Sequence, residues 1–314
     1  MRFRQIWRPA PPLVIDTCML FNELDMLELR LNELWASVDR FVIVEAPFTH
    51  SGAPKPLLFA EHATRFAPYR DKITYHGLRW PAVGEARDER ERLNIEIAQR
   101  NAIGAALMKL DLSNRDIVIV SDIDEIPRAQ TVTSLGQRLD VSTFCVFVQQ
   151  HYHRYINHAW PGATQPPRWL GSVACRYRTL RRIGAHQVRR GDNRAGILLG
   201  PRDPRWSYID DGGWHFTWMG GAEASWLKAQ SVHHVLQKAS GLRDVGPRIP
   251  VQVFPTALSR EQCRNVQARY LAEAESPAFT PLDFDEFAIE QDVPEYLAVN
   301  RERFRGYFYF TSGL

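Results

Sequence analysis

Ile117–Val118–Ile119–Val120 is the segment that most limits the fold. Four consecutive β-branched apolar residues, without polar alternation, read as a strand buried on both faces. Such strands belong to parallel sheets sandwiched between helices. Two further apolar runs, Leu13–Cys18 and Phe41–Ala46, have the same character, and Lys72–His76 and Thr143–Gln149 are additional strand candidates. Helical spacing fills the intervals. Leu24, Leu27, Leu31 and Leu34 form one stripe, with Asn22 placed to cap it, and Ile95–Leu110 forms a second helix. Glu85–Arg92 is charged enough to be a solvated helix or loop. Tyr152–Arg190 reads as strands and loops building a surface, and helical patterns return at Ser259–Glu275 and Asp292–Phe308.

Alternating strands and helices predict an α/β, Rossmann-type domain with a mainly parallel central sheet. With 314 residues, 45% of them hydrophobic, the chain can bury one large core. The expected division is an N-terminal extension over 1–12, the main domain over 13–240, and a helical C-terminal region over 241–314 packed on it.

The same strand raises a chemical question, because it runs into Ser121–Asp122–Ile123–Asp124–Glu125. Three carboxylates within four residues repel one another and are costly to bury without partners. In parallel sheets, ligands bind beyond the carboxyl ends of the strands, which is where these acids fall. Asp122 and Asp124, two residues apart, suit a hard divalent cation such as Mg²⁺ or Mn²⁺ that keeps places for phosphate oxygens. The plain alternative is a solvated acidic turn.

A second constellation is Asp210–Asp211–Gly212–Gly213–Trp214–His215–Phe216, followed by Glu223 and Lys228. His215 is either a further metal ligand or a core histidine among aromatics. Glu223 is either a general base or a helix-start acid. The third is Gln99–Arg100–Asn101, where Arg100 is either a phosphate contact or a surface arginine. No GxSxG, GxxxxGK[ST], HExxH or strand-linked GxGxxG pattern occurs.

Composition excludes several classes. Lys and Arg total 39 against 36 Asp and Glu, so nothing calls for nucleic acid. No apolar window approaches the roughly 20 residues that cross a bilayer. The start, MRFRQIWRPAPP, lacks a signal-peptide core; its basic, Trp-containing character allows at most a peripheral membrane contact. Cys18, Cys145, Cys175 and Cys263 are widely spaced and read as reduced core thiols. A soluble, cytoplasmic protein is the expectation.

Taken in order, DTCMLFNELDMLELRLNEL, VDRFVIVEAPFTHSGAPKPL, QRNAI, DIVIVSDIDEIP, GGWHFTWMGG and the late DVPEYLAVNRERF resemble glycosyltransferase family 17. The likeness runs from Asp16 to about His234. It implies a GT-A-like fold, an inverting mechanism and a nucleotide-sugar donor, UDP-N-acetylglucosamine, used with a divalent metal. It places Asp122, Asp124 and His215 at the metal. Arg100, Asn101, Lys228 and Glu45 fall on the donor side, Glu45 at a strand end where such folds receive the nucleoside. Glu223 is the expected base, with Asp211 second. The acceptor is a glycan or another hydroxyl, and the aromatic, arginine-rich stretch Tyr152–Arg182 is the expected acceptor face. Animal members carry a membrane anchor that this sequence lacks, which suits a bacterial member. Two rival readings use the same acids: a metal-dependent phosphohydrolase or nucleotidyltransferase, and a non-catalytic carbohydrate-binding protein.

Overall fold

The computed structural model describes residues 11–80, 84–153, 155–156, 168–190, 205–220, 224, 227–228 and 292–308. In its first half the chain alternates as the apolar pattern predicts. Strand β1 (Val14–Leu20), helix α1 (Leu24–Leu34) and strand β2 (Arg40–Glu45) are followed by a short helix α2 (Leu58–Glu61) and strand β3 (Ile73–Gly77). Helix α3 (Glu89–Leu107) then leads into strand β4 (Ile117–Asp122). These four strands are parallel, in the order β3-β2-β1-β4.

The unbroken apolar run of β4 is explained by helices on both of its faces. Ile117 and Ile119 enter one apolar cluster with Leu27, Leu31 and Leu34 of α1. Val118 and Val120 enter the other, with Ile103, Ala106 and Leu107 of α3. Each such side chain, removed from water, contributes about 1.5–3 kcal/mol. The charged stretch Glu85–Arg92 is divided: its last four residues form the first turn of α3, which Asp88 caps by accepting the Glu91 N–H at 2.8 Å, and the residues before Asp88 lie outside the helix. Asn22 does not cap α1 as expected. The helix starts one residue later, and the Glu23 carboxylate turns back to accept the N–H groups of Phe21 (3.4 Å) and Asn22 (3.1 Å).

The second half is mixed, so the sheet as a whole is mainly rather than wholly parallel, as expected. Strand β5 (Glu125–Pro127) and helices α4 (Ala129–Val132) and α5 (Leu135–Val141) precede the long strand β6 (Phe144–His153). Strand β7 (Arg168–Arg176), helices α6 (Tyr177–Ile183) and α7 (Ala185–Arg190), and strand β8 (Trp206–Thr217) follow. The full order is β3-β2-β1-β4-β7-β6-β8-β5, with β4–β7, β6–β7 and β8–β5 antiparallel. The α/β, GT-A-like layout is therefore present as a parallel half fused to a mixed half. The expected surface of strands and loops before Arg190 contains two helices, α6 and α7. Of the expected acceptor stretch, residues 157–167 lie outside the described residues.

Two residues separate β4 from β5, yet β5 pairs with the far strand β8. The sheet therefore curls from β4 through β7, β6 and β8 back to β5, around the turn that carries Asp122 and Asp124. A bulge in β8 makes this possible. The β6–β8 register slips between Phe147 and Gln149, Asp211 has φ 54°, and Gly213 has φ +135°. A Cβ at Gly213 would overlap the carbonyl oxygen of Ile126. Gly213→Ala is expected to lower stability by about 2 kcal/mol or more, read as a shifted urea midpoint; an unchanged midpoint would mean the bulge relaxes freely.

Of the C-terminal region only residues 292–308 are described. They hold a short helix α8 (Glu295–Val299) in place of the expected longer helical pattern. Leu297, Phe304 and Phe308 enter the α1 cluster. Tyr296 and Tyr307 donate to Glu28 (2.7 Å) and Asp25 (2.8 Å) of α1. The helix expected at Ser259–Glu275 lies outside the described residues, as do residues 1–10 and Cys263. Cys18, Cys145 and Cys175 are buried free thiols, and burial pushes them up to about 12, 11 and 12.

Candidate active site

At the end of β4 the carboxylates of the SDIDE stretch separate in three directions. Asp124 and Glu125 are buried, and the Asp122 side chain is 38% exposed. Asp122 and Asp124 line a cleft of about 430 Å³, together with Arg100, Arg189, His215 and Lys228. Glu125 lies beneath it. Its carboxylate accepts from Trp169 Nε1 (2.7 Å), from the Asp122 backbone N–H (3.2 Å) and from Arg189.

Behind the turn stands Arg30, fully buried on α1. Its Nε and Nη2 form a two-pronged pair with Asp16 (2.6 and 2.5 Å), and Nη2 also meets Ser121 Oγ (2.8 Å). Its Nη1 donates to the carbonyl of Glu125 (2.6 Å) and lies 3.4 Å from that of Asp122. One guanidinium thus ties β1, α1 and the β4–β5 turn together. Ser172 of β7 completes the brace, accepting from Ser121 Oγ (2.7 Å) and donating to the Glu125 carbonyl (3.0 Å).

The two aspartates have different partners. Asp122 Oδ1 accepts from Arg100 Nη2 (2.8 Å) and Oδ2 from Arg189 Nη2 (3.1 Å). Asp124 Oδ2 accepts from Lys228 Nζ (2.9 Å), and its Oδ1 lies 3.6 Å from His215 Nε2. Burial opposes the charge on Asp124, but Lys228 and His215 outweigh it and hold the carboxyl well below the usual range. Burial also opposes the charge on Lys228; Asp124 and Glu23 overcome it and push Lys228 up to about 12, so it remains an ammonium. Burial and the Arg100 charge push His186 down to about 4, so its neutral ring nitrogen Nδ1 faces Arg100 Nη1 at 3.3 Å. His215 is buried, stacked on His151 with ring centroids 4.8 Å apart and tilted against Trp169 at 4.8 Å.

The remaining expected residues fall elsewhere. Glu45 is not on the cleft wall. Its buried carboxylate accepts from Lys55 Nζ (2.7 Å), Tyr75 Oη (3.0 Å) and the N–H groups of Leu58 and Phe59, so it acts beneath the cleft by holding Lys55, which does line it. Asn101 points to the α6–α7 junction, accepting the His186 N–H at 3.0 Å. Asp211, the second candidate base, is also off the cleft; the bulge turns it outward to Arg128 (3.0 Å). Glu223 lies outside the described residues. The sequence marked Glu125 only as one of three clustered acids and Trp169 only as part of the aromatic stretch Tyr152–Arg182, and it singled out neither Arg30 nor Arg189. Arg30 left a signal, a single arginine inside the buried leucine stripe of α1. Arg189 left none, since it stands among several arginines.

A metal must be judged against these donors. Among the described residues, no three His, Cys, Asp or Glu side chains stand together as a ready coordination shell. Asp122 is engaged by two guanidinium groups. Asp124 Oδ1 and His215 Nε2 form an oxygen–nitrogen pair whose 3.6 Å separation one cation can bridge, and the buried His215 Nδ1 has no partner among the described residues. Two protein donors suffice for a cation that takes its other ligands from water and phosphate. The pair fits the lesser half of such a shell.

Comparison with known proteins identifies the family. The model of glycosyltransferase family 17 matches residues 5–178, more than half of the chain. The beta-1,4-mannosyl-glycoprotein 4-beta-N-acetylglucosaminyltransferases of Rattus norvegicus and Homo sapiens are each 32% identical over 137 residues. That match covers 42% of this chain and only 25% of each relative. Among solved structures, a mannosyltransferase from Pyrobaculum calidifontis in complex with GDP-Man and Mn²⁺ superimposes with a TM-score of 0.42 at 14% identity. It covers 94% of this chain and 81% of that one. No helix among the described residues is long and apolar enough to cross a membrane.

Proposed function

The chain belongs to glycosyltransferase family 17, and from that premise we propose that it transfers N-acetylglucosamine from UDP-N-acetylglucosamine to a hydroxyl of a glycan or similar acceptor, with inversion. The observation that carries this reading is the Asp124–His215 pair, 3.6 Å apart beside Arg100, Arg189 and Lys228 in one cleft. Charge explains why a dication belongs there. Among the described residues, five cationic side chains line the cleft, against four acids on its wall and Glu45 and Glu125 just beneath. The cleft itself has no excess positive charge for a nucleoside diphosphate.

A divalent ion, Mn²⁺ or Mg²⁺, held by Asp124 and His215 would supply charge to balance that growing on the departing diphosphate. The protein supplies the rest. Lys228, kept as an ammonium, and the two arginines face the phosphate oxygens. Trp169 presents an indole to the cleft, restrained by its hydrogen bond to Glu125, and can stack on the apolar face of a sugar. Glu223 is assigned as the base that takes the proton from the acceptor hydroxyl, so that the oxygen attacks the anomeric carbon opposite the leaving diphosphate. Glu223→Gln is then expected to spare donor binding and to remove transfer; unchanged transfer would assign the proton to another group.

Titration calorimetry of the purified protein with UDP-N-acetylglucosamine, with and without Mn²⁺ and beside other UDP- and GDP-sugars, tests the donor. Metal-dependent binding of UDP-N-acetylglucosamine is expected. A folded sample that binds no nucleotide sugar would overturn the reading. Phosphate release at a rate indifferent to any sugar acceptor would favour a phosphohydrolase.

A further inference from the structure

The two aspartates of the β4–β5 turn stand two residues apart, but their surroundings divide them. Arg30 shows what a filled guanidinium fork looks like in this protein: Nε and Nη2 both donate to the carboxylate of Asp16. Arg100 and Arg189 are nearly as buried, with side chains 6% and 4% exposed, yet each meets Asp122 through Nη2 alone. The Nε of each is buried and has no partner among the described residues. A buried donor without an acceptor is costly, so two half-used forks side by side indicate capacity for a further acceptor. Arg100 and Arg189 hold opposite oxygens of one carboxylate, so Asp122 bridges them as a tetrahedral phosphoryl group would.

We propose that Asp122 is not a metal ligand but the resident counter-ion of a two-arginine anion subsite, formed by Arg100 and Arg189, that receives the diphosphate of the donor. This rests on the nucleotide-sugar reading of the cleft and assigns the two acids of that reading different work. Arg100 is also held by Glu96 (2.6 Å) on the cleft wall and Arg189 by Glu125 beneath it, so both forks keep their places when Asp122 yields. Asp124 and His215 remain the donors for a cation. A phosphoryl group carries more acceptor oxygens than the carboxylate, so it can engage more of the guanidinium donors than one aspartate does.

The proposal makes an expectation opposite to that for a metal ligand. Inorganic pyrophosphate is titrated calorimetrically, in the presence of a chelator, into the wild type, Asp122→Asn, Asp124→Asn, and Asp122→Asn combined with Arg189→Gln. Mn²⁺ binding to each is measured separately by electron paramagnetic resonance. Asp122→Asn keeps the shape and removes the competing charge, so pyrophosphate should bind it at least about tenfold more tightly than wild type. Adding Arg189→Gln should cancel that gain. Mn²⁺ affinity should stay within about threefold in Asp122→Asn and fall by at least about tenfold in Asp124→Asn. No tightening in a folded Asp122→Asn protein, or a tenfold loss of Mn²⁺ affinity there, overturns the proposal. Circular dichroism confirms folding of each variant. The nucleotide-sugar reading fails separately, if the wild type binds no nucleotide sugar with Mn²⁺ while pyrophosphate still binds.

Discussion

Replacing Arg30 with methionine is expected to lower stability by about 3–5 kcal/mol, which suffices to unfold many domains at moderate temperature. The substitution removes no exposed charge and touches no wall of the cleft. It leaves the Asp16 carboxyl buried without its two-pronged partner, and deprives the Glu125 carbonyl and Ser121 hydroxyl of a donor. Urea unfolding of the variant, beside Asp16→Asn and the double substitution, measures it. The double variant should recover much of the loss, because neutralising Asp16 removes the uncompensated charge. A single variant within 1 kcal/mol of wild type would show that water or a rearranged cation replaces the guanidinium. Where the protein remains folded, donor turnover should fall as well, since Arg30 pins the backbone that carries both aspartates.

The second large effect is catalytic. Asp124→Asn is expected to reduce metal-dependent donor turnover by about a thousandfold, or about 4 kcal/mol of barrier. The amide keeps the volume but loses the charge that pairs with Lys228 and faces His215. Steady-state turnover with saturating Mn²⁺ measures it, with thermal melting as a control, because the buried Lys228 loses a partner. Full activity in a folded Asp124→Asn protein would remove Asp124 from the reaction and with it the reason for placing a cation there.

Asp124 was legible, since an acid two residues beyond a doubly buried strand has few reasons to exist without a cationic partner. Its neighbours were not legible from spacing; the family resemblance alone set His215 at the same metal and Lys228 on the donor side. Lys228 stands 104 positions away and His215 stands 91 positions away, and only the curl that pairs β5 with β8 brings His215 opposite Glu125. Arg30 lies in a stripe whose spacing announces a buried face, yet spacing does not say which acid a buried arginine meets. The mainly parallel sheet was inferred from uniform apolar runs, and it holds for β1 to β4, where both faces are covered. Beyond β4 the sheet is mixed: β6 and β8 run parallel, but β7 runs antiparallel to β4 and β6 and β5 antiparallel to β8, and the connections that set these directions carry no clear periodic mark.

What the sequence determined by itself is local and periodic. The strands of the parallel half, the stripe of α1 and the acidic turn beyond β4 all follow from residue type and spacing, because backbone sterics and burial act over a few positions. The tertiary structure alone decided the partnerships. It gave Asp122 to two arginines and Asp124 to a lysine and a histidine. It withdrew Glu45, Asn101 and Asp211 from the cleft, and set Glu125 beneath it as the anchor of Arg189. Charges pair according to distance through space, and that distance is set by how the sheet closes.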